Sequence, residues 1–393
     1  MKVVIVGAGP CGLLLTVLLS KQGIHVQLLE ASSKLDEQPR ACHYSAPAKY
    51  ELARAGVLDK IEEEGFHPSG LDTDLRMHQI VCLELGRVIK ILYDEASKSK
   101  HAEILMNHEM TGIDQTSPLP RIRVRLPSGE SRIFDADYIV GCDGANSQVR
   151  RSLFGDRQFP GCTWEQQIIA TNVYYDFDRF KYDDSNFIID QNNWYMAAKI
   201  SKNNLWRVTY GDVSGLTKEQ YIERLPMRYK QLLPGQPEPS EYKVINVGPY
   251  KMHQRLAPSM RAGNILLVGD AAHLCNPFGG FGLTGGIADA GALYDALIGI
   301  HMGKADDNIL DQYDIIRREK YRTIVDPMST AHFKRLWAKD PDTTIAEDEF
   351  LHFAKAAATN KQLARQAQQG AMSLRCDLTK FYNTAAKDNG SCT

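Results

Sequence analysis

Along the chain, apolar residues fall into blocks that mark strands and helices in alternation. Val3–Val6 is a β-branched run of strand length with no polar interruption, the pattern of a strand buried on both faces. It leads through Gly7-Ala8-Gly9-Pro10-Cys11-Gly12 into Leu13–Gln22, an apolar stretch of helical length. A second strand, His25–Leu29, follows and ends in Glu30. Two further buried-strand runs, Ala136–Val140 and Asn264–Val268, each stop at a glycine–acid pair: Gly141-Cys142-Asp143-Gly144 and Gly269-Asp270. The second opens a glycine-rich loop, Pro277 to Gly286, and then a helix running through Ile287–Ile300. Val81–Ala96 also reads as a helix.

After Arg151 the rhythm shortens. Gln166–Phe177, Asn186–Asp190, Trp194–Ile200, Leu205–Tyr210 and Tyr242–Val247 read as strands, interrupted by one helix, Lys218–Leu233. The short turn Ser201–Asn204 implies an antiparallel sheet inserted between the two glycine–acid signatures. In Leu205–Tyr210, Leu205, Arg207 and Thr209 share one face and Trp206, Val208 and Tyr210 the other. Pattern does not decide which face lines a pocket. Arg207 and Tyr195 are the candidates on this sheet for orienting a ligand. Asp307–Val325, carrying Arg317, Arg318, Lys320 and Arg322, reads as a helix with a solvated charged face, and Glu347–Thr359 as a later helix.

The first glycine motif has a physical reading. Gly7 permits a tight turn, Gly9 lets a pyrophosphate approach the backbone, and Gly12 lets helix and strand pack closely. The phosphates then meet a helix N-terminus. Glu30 can accept the hydroxyls of an adenosine ribose and disfavours a 2′-phosphate, so FAD or NAD is expected here.

Composition narrows the partners. The 393 residues carry a net charge of −2, with 43% hydrophobic and 24% charged residues, so neither nucleic acid nor an anionic membrane surface is favoured. No apolar run is long enough to span a bilayer, and no leader precedes the first strand. The eight cysteines are scattered without a CxxC pair, which points to reduced thiols in the cytoplasm and to no metal site.

Gly7/Gly9/Gly12, Asp143-Gly144 and Gly269-Asp270 occur in this order over residues 2 to about 325. In that, the chain resembles the single-component FAD-dependent aromatic hydroxylases of the para-hydroxybenzoate hydroxylase fold, particularly fungal members that tailor metabolites. The resemblance implies an α/β fold: a Rossmann-like FAD-binding domain in two parts (1–158 and 251–328), an inserted antiparallel-sheet substrate domain (159–250) and C-terminal helices (329–393). It implies that Asp270 meets a ribityl hydroxyl, and that Asp143 and Gly144 close over the pyrophosphate. Arg40 and Gln79 would reach the pyrophosphate or ribityl chain. Pro277, Gly279, Gly280, Gly282 and Leu283 would lie against the isoalloxazine, at a helix beginning near Thr284.

The implied activity is monooxygenation. NADPH or NADH reduces FAD and leaves, and O2 gives a C4a-hydroperoxide that places one oxygen on an aromatic or other electron-rich small molecule. No second GxGxxG serves the nicotinamide cofactor. A monomer or homodimer is expected. The chain departs from the family in a short Gly65–Gln79 segment, in Phe281 where many relatives carry glutamine, and in Thr284 where many carry asparagine. The short segment keeps a second reading open: a non-catalytic or poorly coupled FAD-binding sensor of small molecules.

Overall fold

A computed structural model of the chain describes residues 1–36, 42–69, 79–114 and 119–383. β1 (Lys2–Val6) and β2 (His25–Glu30) run parallel, with Lys2 opposite His25 and Val6 opposite Leu29. Between them lies α1 (Pro10–Ser20), apolar all round because it is enclosed: every residue from Gly12 to Ser20 is buried. Next come β3 (His43–Tyr44), α2 (Ala46–Arg54), α3 (Leu58–Glu64), β4 (Val81–Cys82) and α4 (Leu85–Ala96). The helix expected from Val81 therefore starts four residues later. Val81 and Cys82 pair antiparallel with Tyr44 and His43 instead, and Glu84 holds an extended ψ that blocks earlier helical winding.

β5 (Ala102–Met106) joins the parallel sheet. A three-stranded antiparallel unit then follows: β6 (Glu109–Asp114), β7 (Arg121–Arg125) and β8 (Ser131–Asp135). The sequence reading did not register these strands, because their outward positions are arginines and acids. β9 (Tyr138–Gly141) returns to the parallel sheet beside β1 and leads to α5 (Gln148–Phe154).

The inserted region is antiparallel, as expected. It comprises β10 (Gly161–Tyr174), β11 (Ser185–Ile188), β12 (Tyr195–Lys199), β13 (Leu205–Asp212), α6 (Lys218–Leu232) and β14 (Lys243–Leu256). β14 runs past Val247, where the expected strand ended, because it stays paired to β10 with Pro249 opposite Ile169. β15 (Arg261–Ala262) and β16 (Ile265–Leu267) complete the first sheet, ordered β15-β16-β9-β1-β2-β5. β17 (His273–Leu274) ends the second, ordered β11-β12-β13-β10-β14-β17. One face of that second sheet packs Trp206, Val208 and Tyr210 against Tyr221, Leu225 and Tyr229 of α6. The other presents Ile168 and Met252 to Trp194, Phe278 and Phe333. Burial on both faces is why its strands lack clean polar alternation.

The chain ends in helices: α7 (Phe281–His301), α8 (Ile309–Lys320), α9 (Asp326–Leu336), α10 (Pro341–Glu347), α11 (Glu349–Thr359) and α12 (Lys361–Met372). A π-turn, Tyr321–Val325, joins α8 to α9. Among the described residues, no helix is long and apolar enough to cross a membrane.

The solvated face expected for α8 is corrected at Arg317. Its side chain is 2% exposed, and Nε donates to Asp289 Oδ1 at 2.5 Å, while Asp289 itself is fully buried. The other Asp289 oxygen accepts from the Gly269 amide at 3.0 Å and pairs with His273 Nε2 at 2.7 Å. Arg317 also donates to the carbonyls of Gly285 and Leu374. Burial alone would raise the Asp289 carboxyl, but Arg317 and His273 together hold it below the usual carboxylate range. Replacing Asp289 by Asn strands a buried guanidinium, and the loss of stability is expected to be about 3–5 kcal/mol. Urea denaturation of Asp289→Asn beside the parent chain measures it, and a loss within error of zero refutes the role assigned to this pair.

Candidate functional site

The turn from β1 into α1 is built around an open space. Gly7 sits at φ +105°, and a Cβ there would lie 2.5 Å from the Cys142 carbonyl oxygen, so this glycine lets the end of β9 close against the turn. A Cβ on Gly9, by contrast, would meet no protein atom within 4 Å. A Cβ on Gly12 would strike the Gly7 carbonyl. The first turn of α1 has Pro10 where an amide would otherwise be idle, no side-chain cap and no acid, so its free N–H groups favour an anion. Glu30 stands at the end of β2. Oε2 accepts from the Ala8 amide and Oε1 from the Ser32 amide, each at 2.8 Å, which orients the carboxylate and leaves each oxygen a lone pair. An adenosine diphosphate half fits this cradle.

The Asp143 carboxylate is engaged within the protein. Oδ1 accepts from Ser147 Oγ at 2.5 Å, and Oδ2 accepts from the amides of Gln148 and Val149 at 2.7 and 3.0 Å. The carboxylate therefore caps α5, and Gly144, at φ +74° with open space where its Cβ would be, is left as the backbone facing outward. Arg150, which the sequence reading missed, links the two glycine–acid signatures. It donates to Ala145 O at 2.8 Å and Ala271 O at 2.9 Å, and lies 3.7 Å over the Phe159 ring.

Gly269–Ala271 forms a 3-10 turn just past β16, and Asp270 is exposed on it. Its charge is felt by Cys11 on α1 and by Cys275, whose thiol is pushed up to about 12 mainly by burial and then by Asp270. Asp270 thus faces the gap between α1 and the glycine-rich loop. In that loop the buried Asn276 receives the Phe278 amide on Oδ1, and its own amide donates to Gln254 Oε1. Pro277 is half-buried and Phe278 fully buried, while Gly279 and Gly280 adopt φ +116° and +69°. Gly280, in the left-handed region, caps α7, which therefore begins at Phe281 and not near Thr284. Gly282 and Leu283 lie in its first turn, uncapped by any side chain and free of acids. A Cβ would meet nothing within 4 Å at Gly280 and only Cys275 Sγ, at 3.8 Å, at Gly282, so a planar ring can rest on backbone here.

Gln79 precedes β4, where its carbonyl accepts from Lys49 Nζ at 3.0 Å, so it is not at a helix start. Arg40 lies outside the described residues, as does 70–78 of the short segment.

The two candidates on the inserted sheet separate. Tyr195 is opposite Tyr210, belongs to the core beneath α6, and hydrogen-bonds Tyr182 Oη at 2.6 Å. It cannot share a pocket wall with Arg207, because strand alternation turns the two to opposite faces. Arg207 Nε and Nη2 both donate to Asn172 Oδ1 at 3.1 Å. Tyr250, which the sequence reading did not single out, lies on that same face through the Ile168–Tyr250 and Asn172–Arg207 pairings. It keeps 39% of its surface accessible. Burial nonetheless pushes its phenol up to about 12, with Arg207 pulling the other way. Tyr250 thus presents a partly accessible phenol within the field of Arg207 on this face of the sheet.

Three potential metal-donor side chains come together away from these motifs. The β3–β4 pairing brings the donor atoms of Cys42, His43 and Cys82 within 4.8 Å of one another. Cys42 is held well below the usual thiol range, by a hydrogen bond from Cys82 above all, with His43 and Arg207 adding to it against burial. No CxxC spacing announced this.

Comparison with known proteins agrees with the cradle. The profile of the FAD binding domain family matches residues 1–327. Para-nitrophenol 4-monooxygenase of Pseudomonas sp. (strain WBC-3) is 36% identical over 382 residues, 93% of each chain. The 6-hydroxy-3-succinoylpyridine 3-monooxygenase of Pseudomonas putida (strain DSM 28022 / S16) is 36% identical over 86% of this chain and 90% of its own. Among solved structures, a p-nitrophenol 4-monooxygenase from Pseudomonas putida DLL-E4 superposes with a TM-score of 0.87 at 32% identity, covering 95% of this chain and 97% of that one.

One measurement tests the cradle and a second the packing against the start of α7. Gly9→Ala should fold with an unchanged melting temperature yet lose bound flavin, since its methyl meets only ligand space; Gly7→Ala should lose stability as well, because it drives Cβ into Cys142. Equal flavin content in Gly9→Ala and the parent protein refutes the assignment. The second concerns His332, whose ring stacks on Phe281 and whose Nδ1 lies 3.1 Å from Arg335 Nη1. Burial and then Arg335 lower its pKa to about 4, beneath the unfolded value of about 6.5. The unfolded chain therefore binds more protons in this window, and stability is lost as pH falls from about 6.5 toward 4. In His332→Gln that part of the slope should vanish from denaturation midpoints measured across the window.

Proposed function

This chain belongs to the FAD binding domain family and is an FAD-dependent aromatic monooxygenase, and on that premise we propose that it hydroxylates a small phenol or hydroxylated heteroaromatic ring, bound as the phenolate against the sheet face that carries Arg207, Asn172 and Tyr250, with NADH or NADPH as reductant. The bound flavin, once reduced by the nicotinamide, supplies the activation of O2. The names of the two relatives at 36% identity, which act on a nitrophenol and a hydroxypyridine, support this substrate class. Nothing in the comparisons supports a non-catalytic sensor.

The observation that carries the reading is the placement of Arg207. Asn172 grips its guanidinium from one side, fixing a positive charge on the face of the sheet that also carries Tyr250. A cation there lowers the energy of the phenolate relative to the phenol, and the phenolate is the electron-rich form that accepts an electrophilic oxygen at a ring carbon. Tyr250, with its proton held far above neutral pH, is a hydrogen-bond donor to an anionic oxygen. The aromatic wall of Trp194, Phe278 and Phe333 continues this face and keeps water out.

The test is steady-state turnover with phenols, following nicotinamide oxidation, O2 uptake and product together. Product carrying one atom of isotope-labelled O2 is expected. Arg207→Gln should keep its flavin and its rate of reduction. It should lose a charge-assisted hydrogen bond of about 1.5–3 kcal/mol, or roughly tenfold to a hundredfold in kcat/KM. Nicotinamide consumption that never yields hydroxylated product overturns the proposal, and an unchanged kcat/KM in Arg207→Gln removes Arg207 from it.

A further inference from the structure

The cluster of Cys42, His43 and Cys82 has no part in the reaction as proposed, and its composition is unusual for packing alone. Two thiols and an imidazole converge from two different strands: His43 sits opposite Cys82 in the β3–β4 ladder, and the Leu83 amide donates to the Cys42 carbonyl at 2.9 Å. The backbone thus clamps the three residues before any ligand arrives. Both cysteines are buried, and Cys42 packs against Ile200 and Leu205 of the inserted sheet. His43 is half-buried.

The imidazole is oriented for coordination. Its Nε2 lies 3.2 Å from Ser185 Oγ and its Nδ1 lies 3.0 Å from Cys42 Sγ. With Nε2–H donating to the serine, the Nδ1 lone pair points at the thiols, the arrangement in which an outer oxygen fixes the tautomer of a ligating histidine. We propose that Cys42, His43 and Cys82 form a binding site for a thiophilic metal ion of the Zn2+ class, with Ser185 as the group that positions His43.

The donor set and spacing suit such an ion. Metal–sulfur bonds of about 2.3 Å and metal–nitrogen bonds of about 2.0 Å give tetrahedral edges of roughly 3.5–3.8 Å. The donors lie within 4.8 Å of each other, so closure needs only side-chain adjustment. Two thiolates balance the charge of a divalent ion, and two thiol protons leave as it binds. Asp184 adds a negative charge near His43 and Arg207 a positive one, so the surroundings are close to neutral. A protein set of three leaves the fourth position to water or another small ligand.

The site is tested on the flavin-loaded protein, stripped by chelator and kept reduced with a phosphine. Cd2+ is titrated in, with the thiolate-to-metal charge-transfer band read by difference spectrum and metal content by atomic emission. One Cd2+ per chain and a charge-transfer band are expected, with Zn2+ competing for the same site. Cys42→Ser and Cys82→Ser should each abolish the band. Ser185→Ala, which touches no thiol, should weaken binding roughly tenfold. Flavin content and melting temperature report whether each variant is folded; should one cysteine variant fail to fold, the other and His43→Gln decide. No uptake by the reduced parent protein, or a band that survives in the folded Cys82→Ser or His43→Gln variants, overturns the proposal.

Discussion

A single buried carboxylate, Asp289, holds together parts of the chain far apart in sequence. From the middle of α7 it receives the Gly269 amide and His273 on one oxygen and Arg317 of α8 on the other. Arg317 passes the constraint on to Gly285 at the start of α7 and to Leu374 near the end of the described chain. The turn carrying Asp270, the start of α7 and the C-terminal segment are thereby placed relative to one another. A charge at this depth is tolerable only because every partner is present.

Around that anchor the cofactor cradle is made mostly of backbone. Gly9, Gly144, Gly280 and Gly282 all leave space where a side chain would intrude, while Gly7 and Gly12 are filled against by neighbouring backbone. Glycines of one motif therefore do two distinct jobs, making room for ligand and letting strands close. Arg150 stitches the two glycine–acid turns together by bonding a carbonyl on each. Asp143 spends its carboxylate on capping α5, so the contribution of its turn to a ligand comes through Gly144.

The inserted sheet adds what the cradle lacks, a side-chain surface. Its α6 face is sealed by an aromatic core, so Arg207, Asn172 and Tyr250 lie together on the opposite face. The edge strand β11 brings Ser185 to His43, so the thiol–imidazole cluster is completed only where β11 meets the β3–β4 pair.

How much of this was legible in the sequence follows from the range of the interactions involved. The β1–α1–β2 unit, Glu30, the two glycine–acid turns and the antiparallel insert were readable, because each rests on local chemistry: strand runs, glycine torsions and alternating faces within a few residues. Errors arose where a distant partner overrode a local preference. Val81 and Cys82 left their expected helix because Tyr44 and His43 offered a ladder. Arg317 went from an expected solvated face to the core because Asp289 was there to neutralise it. Tyr195 and Arg207 were paired as candidates, but α6 covers one side of the sheet and not the other, and strand alternation placed them apart. The convergence of Cys42, His43 and Cys82 had no sequence signature, since a two-residue ladder between remote segments carries no periodicity. Local torsional and hydrophobic preferences thus determined the elements and the cofactor motifs by themselves. Which buried charges pair, and which face of a sheet looks inward, was decided only by tertiary packing, because desolvation makes each such choice depend on what the rest of the chain brings alongside.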